Sequence, residues 1–231
     1  MRRKLPWIGK IFLLVLLLLV VYQLWIFAHI TWWRWFNPST SAFMEDRLEV
    51  LQEKNPEAEL RHRWVPYGKI SPHLKRALIA AEDARFLEHE GFDWEAIETA
   101  YEKNLKKGKI VAGGSTISQQ LAKNLFLSSK RSPWRKLQEA AITVMLESVL
   151  SKRRIFEIYL NVIEWGNGVF GAEAAARYYF KTNAASLNDR QAARMAAMVP
   201  NPRYYDKRRS TPFLERKAAV ILARMPASDI P

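Results

Sequence analysis

The sequence predicts a mainly α-helical domain behind a single N-terminal membrane-spanning helix. Three observations predict it. One long apolar run lies near the N-terminus, with basic residues before it and tryptophans after it. Helix-start signals recur through the rest of the chain, and no alternating apolar and polar stretch marks a strand.

The chain has 231 residues, room for one anchor and one domain of ordinary size. With 49% hydrophobic and 26% charged residues it can bury a core, which excludes a disordered chain. It has no cysteine, which excludes disulfides, thiolate zinc sites and a cysteine nucleophile. The net charge of +13 favours anionic partners: nucleic acid, acidic lipid or a phosphorylated substrate.

The N-terminus chooses among these. Ile11 to Val21 is unbroken apolar sequence, and the pattern continues to Ile30 with Gln23 and His29 as its polar interruptions. About 20 helical residues cross a hydrocarbon core of ~30 Å. Arg2, Arg3, Lys4 and Lys10 precede the run, and Trp32, Trp33 and Trp35 follow it. Basic residues stay cytoplasmic and tryptophans gather at the interface. The expected organisation is a cytoplasmic basic N-terminus (1–10), a transmembrane anchor (11–30), a linker and membrane-proximal segment (31–69), and a domain outside the cytoplasm (70–231). A cleaved signal peptide fits less well, because the run is long and Phe27-Ala28-His29-Ile30 offers no small-residue cleavage site. A basic domain outside the cytoplasm also argues against nucleic acid.

Within the domain, Ser71-Pro72 starts a helix that Gly91 closes. Thr116 and Gln119 have capping-box spacing for a helix over 116–127, and Ser132-Pro133 opens another, with Leu137, Ala140, Ala141, Val144, Met145 and Leu146 as its apolar stripe. Ser151 caps a fourth helix, Asn188 and Gln191 repeat the capping spacing, and Thr211-Pro212 starts the last.

Four segments carry polar residues that a plain bundle does not need. Glu82 and Asp83 follow an apolar helix, and a carboxylate at the edge of an apolar wall has its pKa pushed up toward use as a base. Glu82 and Arg85, at i, i+3, equally suit a solvated surface pair. Gly113-Gly114 feeds a helix N-terminus whose free N–H groups suit an anion, with Thr116, Gln120, Lys123 and Asn124 on one face. The alternative there is an ordinary capped amphipathic helix. Arg135 and Lys136 stand at i, i+4 and i, i+3 from Glu139, which also fits a simple surface ion pair. Gly166, Gly168 and Gly171 make a flexible aromatic loop between two helices, or a tight corner.

In this order the segments resemble the biosynthetic peptidoglycan glycosyltransferases, family 51, and in particular their monofunctional branch. The family carries Glu-Asp-x-x-Phe-x-x-His-x-Gly (here 82–91), Gly-Gly-Ser-Thr-Ile-x-Gln-Gln-Leu-x-Lys-Asn (113–124), Arg-Lys-x-x-Glu (135–139) and Tyr-Leu-Asn followed by Gly-x-Gly-x-x-Gly (159–171). A weaker fifth element resembles Ala192 to Pro202 with Tyr204 and Tyr205. The resemblance spans roughly Ile70 to Arg209. The Ser-x-x-Lys and Lys-Thr-Gly motifs of a penicillin-binding transpeptidase domain do not occur, so cross-linking is expected to need a partner enzyme.

The resemblance implies a lysozyme-like fold and polymerisation of lipid II, with release of undecaprenyl pyrophosphate, at the bacterial inner membrane. It implies Glu82 as general base and Glu139 as a second carboxylate assisting the leaving group. It further implies Lys123, Arg131, Arg135 and Lys136 as cations for the pyrophosphate, and Ser115, Thr116, Gln119 and Gln120 as sugar and phosphate ligands. Asp83, His89, Asn124 and Asn161 complete the implied substrate-binding set. No cofactor is obligatory; a divalent metal, Mg or Mn, is compatible, with Glu139 its candidate ligand. The implied partners are lipid II, the lipid-linked glycan, the membrane, and transpeptidase and cell-division proteins. Two rival readings are a lysozyme-like muramidase and a non-enzymatic membrane-tethered scaffold. A muramidase needs no pyrophosphate cradle, and a scaffold has no use for carboxylates at both Glu82 and Glu139.

Overall fold

The computed structural model describes residues 7–109, 111, 113–129 and 132–231. The basic residues Arg2, Arg3 and Lys4 and the expected site residue Arg131 lie outside the described residues. The first helix, α1 (Trp7–Trp32), is 26 residues long, which at ~1.5 Å per residue exceeds the ~30 Å hydrocarbon core. Its side chains are exposed except near the exit, where Ile26 and Ile30 are buried in the domain core. There Trp25 and Trp33 pack against Phe126, and the Arg154 guanidinium donates to the carbonyls of Trp33 and Phe36 at 2.8 and 2.7 Å. The anchor is therefore docked on the domain rather than loosely tethered.

The expected helix starts are all present. Ser71, Thr116, Ser132, Ser151, Asn188 and Thr211 each accept a first-turn backbone N–H. They open α3 (Pro72–Glu82), α5 (Ile117–Phe126), α6 (Pro133–Val149), α7 (Lys152–Val162), α9 (Asp189–Met198) and α11 (Pro212–Arg224). The capping boxes at Thr116/Gln119 and Asn188/Gln191 are complete. Helix α3 stops at Glu82 rather than running to Gly91. Asp83 leaves helical geometry (φ −163°, ψ 76°) and its carboxylate accepts the Ile117 N–H at 2.9 Å.

The helix expected after the glycine-rich loop is α8 (Ala172–Phe180), while α2 (Ala42–Gln52), α4 (Trp94–Lys107), α10 (Pro202–Lys207) and a small sheet are additional to the expected elements. Strand β1 (Arg61–His62) lies parallel to β3 (Val169–Phe170), which pairs antiparallel with β2 (Glu164–Gly166). Strands of two or three residues are too short to show alternation. Residues 42–69, within the expected linker, thus hold α2 against α5 and β1 in the sheet. The glycine-rich loop is this buried hairpin. Gly171 is indispensable to its geometry: φ is +80° and a Cβ would lie 2.7 Å from the Asn161 carbonyl.

One expected face is wrong. On α6 the buried residues are Gln138, Glu139, Ile142, Thr143 and Leu146, while Leu137 and Val144 of the expected stripe are 64% and 57% exposed. The core-facing side of α6 is polar at its start because it faces a cleft. Gln138, on this buried side, meets α1 by accepting from Gln23 at 2.9 Å, while Leu137 and Val144 stay exposed on the other.

Candidate active site

Glu82 is the last residue of α3 and is partly buried. Burial raises its pKa above the usual carboxylate range, and the Gln120 hydrogen bond and the charges of Lys217 and Lys123 only partly oppose this. The surface pair with Arg85 does not form; Arg85 binds Glu88 and Glu95 instead. Glu82 Oε2 accepts from Gln120 Nε2 at 3.0 Å. Gln120 Oε1 accepts from the fully buried Tyr159 hydroxyl at 2.9 Å. An ionised Glu82 carboxylate can only accept, which turns the Gln120 amide N–H toward it, and the Tyr159 hydroxyl supports that orientation by donating to the amide oxygen on the other side.

This hydrogen bond joins the walls of two cavities. One, about 360 Å³, is lined by Glu82, Gly113, Gly114 and Ser115 together with residues of α4. The other, about 190 Å³, is lined by Gln120, Lys123 and Asn124 with Asn201 and Arg203. Asn124 donates to the Gln120 carbonyl at 2.7 Å.

A cationic group lies beside the second carboxylate. Glu139 is 3% exposed, with Arg135 at 3.3 Å and Lys136 in contact. Burial lowers the pKa of Lys123; Glu139 opposes this, and Arg135 and Lys136 add to it. The Arg135 Nε is buried with no hydrogen-bond partner among the described residues, a donor available to an anion. Gln138, which holds Gln23 of the anchor, precedes Glu139, so this group sits where domain and anchor meet. Both Glu139 oxygens take cations from Arg135 and Lys136.

Five expected substrate ligands are held by the protein itself. Asp83 Oδ1 pairs with His89 Nε2 at 2.9 Å, and His89 Nδ1 accepts the Gly91 N–H. The α5 N-terminus, expected to receive a substrate anion, receives Asp83. Thr116 donates to the Gly91 carbonyl at 2.7 Å and exchanges capping bonds with Gln119. Asn161, 0% exposed, bonds the Val65 N–H and carbonyl and the Glu157 carbonyl. Asp83 and Thr116 nevertheless line the first cavity, and with them Glu82, Ser115, Gln120, Lys123, Asn124, Arg135, Lys136 and Glu139 stand at or beside the cleft.

The sequence reading missed Tyr159 and Lys217. Tyr159 was visible as part of the Tyr-Leu-Asn element. Lys217, on α11, carried no local signal; it reaches Glu82 only because α11 packs on α3. Tyr159→Phe should lower turnover about tenfold and move the acid limb of the pH–rate profile upward, since the bond it orients holds the Glu82 pKa down. An unchanged acid limb would reduce Tyr159 to a packing residue.

A sequence profile of the family described as Transglycosylase matches residues 48–226. The chain belongs to the transglycosylase family. It is similar to the biosynthetic peptidoglycan transglycosylase of Methylobacillus flagellatus, 68% identical over 231 residues, covering 100% of each chain. Its namesake from Nitrosospira multiformis is 66% identical over 225 residues, 97% of this chain and 98% of that one. The one from Chromobacterium violaceum is 69% identical over 212 residues, 92% and 93%. Family membership makes the chain a glycosyl-transferring enzyme. The transglycosylase profile begins inside α2, in keeping with the packing of that helix against α5.

Proposed function

We propose that this transglycosylase polymerises lipid II into β-1,4-linked peptidoglycan strands, with inversion, and releases undecaprenyl pyrophosphate. The observation that carries the reading is a carboxylate in apolar surroundings, Glu82, aimed by Gln120 between two cavities, with cations gathered where the domain meets its anchor. Glu82 takes the proton of the acceptor sugar's 4-hydroxyl. The oxygen attacks the donor's anomeric carbon, and the bonding pair of the breaking C–O bond passes to the pyrophosphate. Lys123, Arg135 and Lys136 stabilise the charge that gathers there, and Glu139 holds Arg135 and Lys136 in position. A lipid-borne pyrophosphate lies at headgroup level, where these cations stand beside the anchor. Anchoring enzyme and substrates in one bilayer raises their effective concentration.

The test uses detergent-solubilised full chain and labelled lipid II. Lys123→Ala and Arg135→Ala should each cut turnover about 10²-fold with little change in thermal stability, because both side chains are only partly buried. Unchanged kinetics in both would remove them from the site. The domain lies outside the cytoplasm, since basic residues precede the anchor and tryptophans follow it. Protease added to spheroplasts should therefore digest it; survival of the domain would reverse the orientation.

A further inference from the structure

A cluster of charged and polar groups around Tyr67 has no role in the transfer chemistry above. Tyr67 opens a 3₁₀ turn (Tyr67–Lys69) that leads into α3. The Lys75 ammonium, on α3, lies 4.0 Å from the centre of the Tyr67 ring and donates to the Tyr67 carbonyl at 3.2 Å. The Arg153 guanidinium, in the first turn of α7, stands 4.6 Å from the same ring centre. Lys75 and Tyr67 are 6% and 5% exposed, whereas Arg153 is open to solvent. The Tyr67 hydroxyl is buried without a hydrogen-bond partner among the described residues. None of the three residues lines either cavity of the cleft.

The cluster holds charge that the protein leaves unbalanced. Neither Lys75 nor Arg153 makes an ion pair among the described residues; their contacts are the Tyr67 ring and, for Lys75, the Tyr67 carbonyl. The carboxylate alongside, Glu157, is already engaged. One of its oxygens pairs with Arg154 at 2.6 Å and the other accepts the Tyr67 N–H at 2.8 Å. Burial lowers the Lys75 pKa, and the Arg153 charge adds to this. Burial pushes the Tyr67 hydroxyl up to about 12, with Arg153 opposing and Glu157 adding, so the hydroxyl keeps its proton at neutral pH. A buried ammonium beside a second cation is costly until an anion joins them.

The donors select the anion. An ammonium, a guanidinium fork and a hydroxyl come from three segments of the chain to one ring. A tetrahedral phosphate offers oxygens in several directions, whereas the two oxygens of a carboxylate lie in one plane, and Arg and Lys both suit phosphate. We propose that Lys75, Arg153 and the Tyr67 hydroxyl form a phosphate-binding site distinct from the transfer centre. Arg154 links it to α1. This residue donates to the Trp33 and Phe36 carbonyls, just past α1, and pairs with the Glu157 that holds Tyr67. An occupant therefore steadies the joint between α1 and the domain.

The experiment titrates inorganic phosphate, and separately dihexanoyl phosphatidylglycerol, into the detergent-solubilised full chain by calorimetry at constant ionic strength. Arg153→Gln, at an exposed position, should weaken binding about fivefold, and so should Tyr67→Phe, which removes only the hydroxyl. Lys75→Met, which removes the buried charge, should weaken it at least about tenfold. Weakening seen with inorganic phosphate makes free phosphate an occupant; weakening confined to phosphatidylglycerol makes the occupant a lipid headgroup. Either supports the site. Absence of saturable binding of both probes to the wild type overturns it, as does equal binding by the wild type, Arg153→Gln and Tyr67→Phe; these two variants decide the matter should Lys75→Met fail to fold. The cations of the transfer centre are controlled by repeating the comparison in Arg135→Ala. The difference should persist there, and its loss would assign the binding to the transfer centre and overturn the proposal.

Discussion

Glu82→Gln should lose at least ~10²-fold in turnover, the contribution of a positioned general base, while the protein stays folded and still binds lipid II. The replacement keeps the shape and keeps an oxygen to accept the Gln120 N–H; it removes only the capacity to take a proton. Stability should move the other way. Burial raises the folded-state pKa of Glu82 above its unfolded value. The stability that goes with this shift is fully present below the ordinary glutamate pKa and is lost as pH rises through the folded pKa. Above its folded pKa the wild type holds an ionised carboxylate in apolar surroundings, so there Glu82→Gln should melt at a higher temperature, with the difference closing at acid pH. The wild-type rate should fall on acidification at a pH above the usual carboxylate range. Lipid II turnover and melting curves of both proteins, measured across pH, check all three statements. Near-normal turnover in the variant would end the base assignment.

Asn161→Ala should do the reverse, damaging the fold and sparing the chemistry. Asn161 is fully buried and its side chain bonds both backbone groups of Val65 and the Glu157 carbonyl. Truncation strands the Val65 N–H and carbonyl without water, at ~1–3 kcal/mol for each unsatisfied group. A total of ~2–6 kcal/mol lowers the melting temperature by about 5–20 °C in a chain of this size. The KM of the folded fraction for lipid II should stay at the wild-type value, because Asn161 contributes no atom to the cleft. A raised KM with an unchanged melting temperature would restore it to the substrate-binding set.

Glu82 and Asn161 were both singled out from the same kind of observation, a polar residue inside a recognisable motif. Their fates differ because a motif records that a residue type is required and not what requires it. Asp83, His89, Thr116 and Gln119 make the same point. Together they tie the end of α3 to the start of α5 and so bring Gln120 to Glu82. They serve the site by shaping it. The α6 stripe misled for a related reason. Apolar periodicity identifies a helix with two different faces, but not which of them meets protein.

Whatever depends on neighbours along the chain was settled by the sequence alone. The long apolar N-terminal helix follows from run length, and the helix starts follow from side chains that cap backbone N–H groups three residues away. The motif order carried the family, which the profile over residues 48–226 bears out. Only the tertiary structure decided what depends on contacts across long separations. Lys217 acts on Glu82 across the α3–α11 packing, Tyr159 orients Gln120 from another helix, and three minimal strands form a sheet because β1 is carried to the hairpin. The physical reason is range: caps and periodicity act within a turn or two, whereas burial, pKa shifts and cavities are properties of surfaces that meet only when the chain has folded.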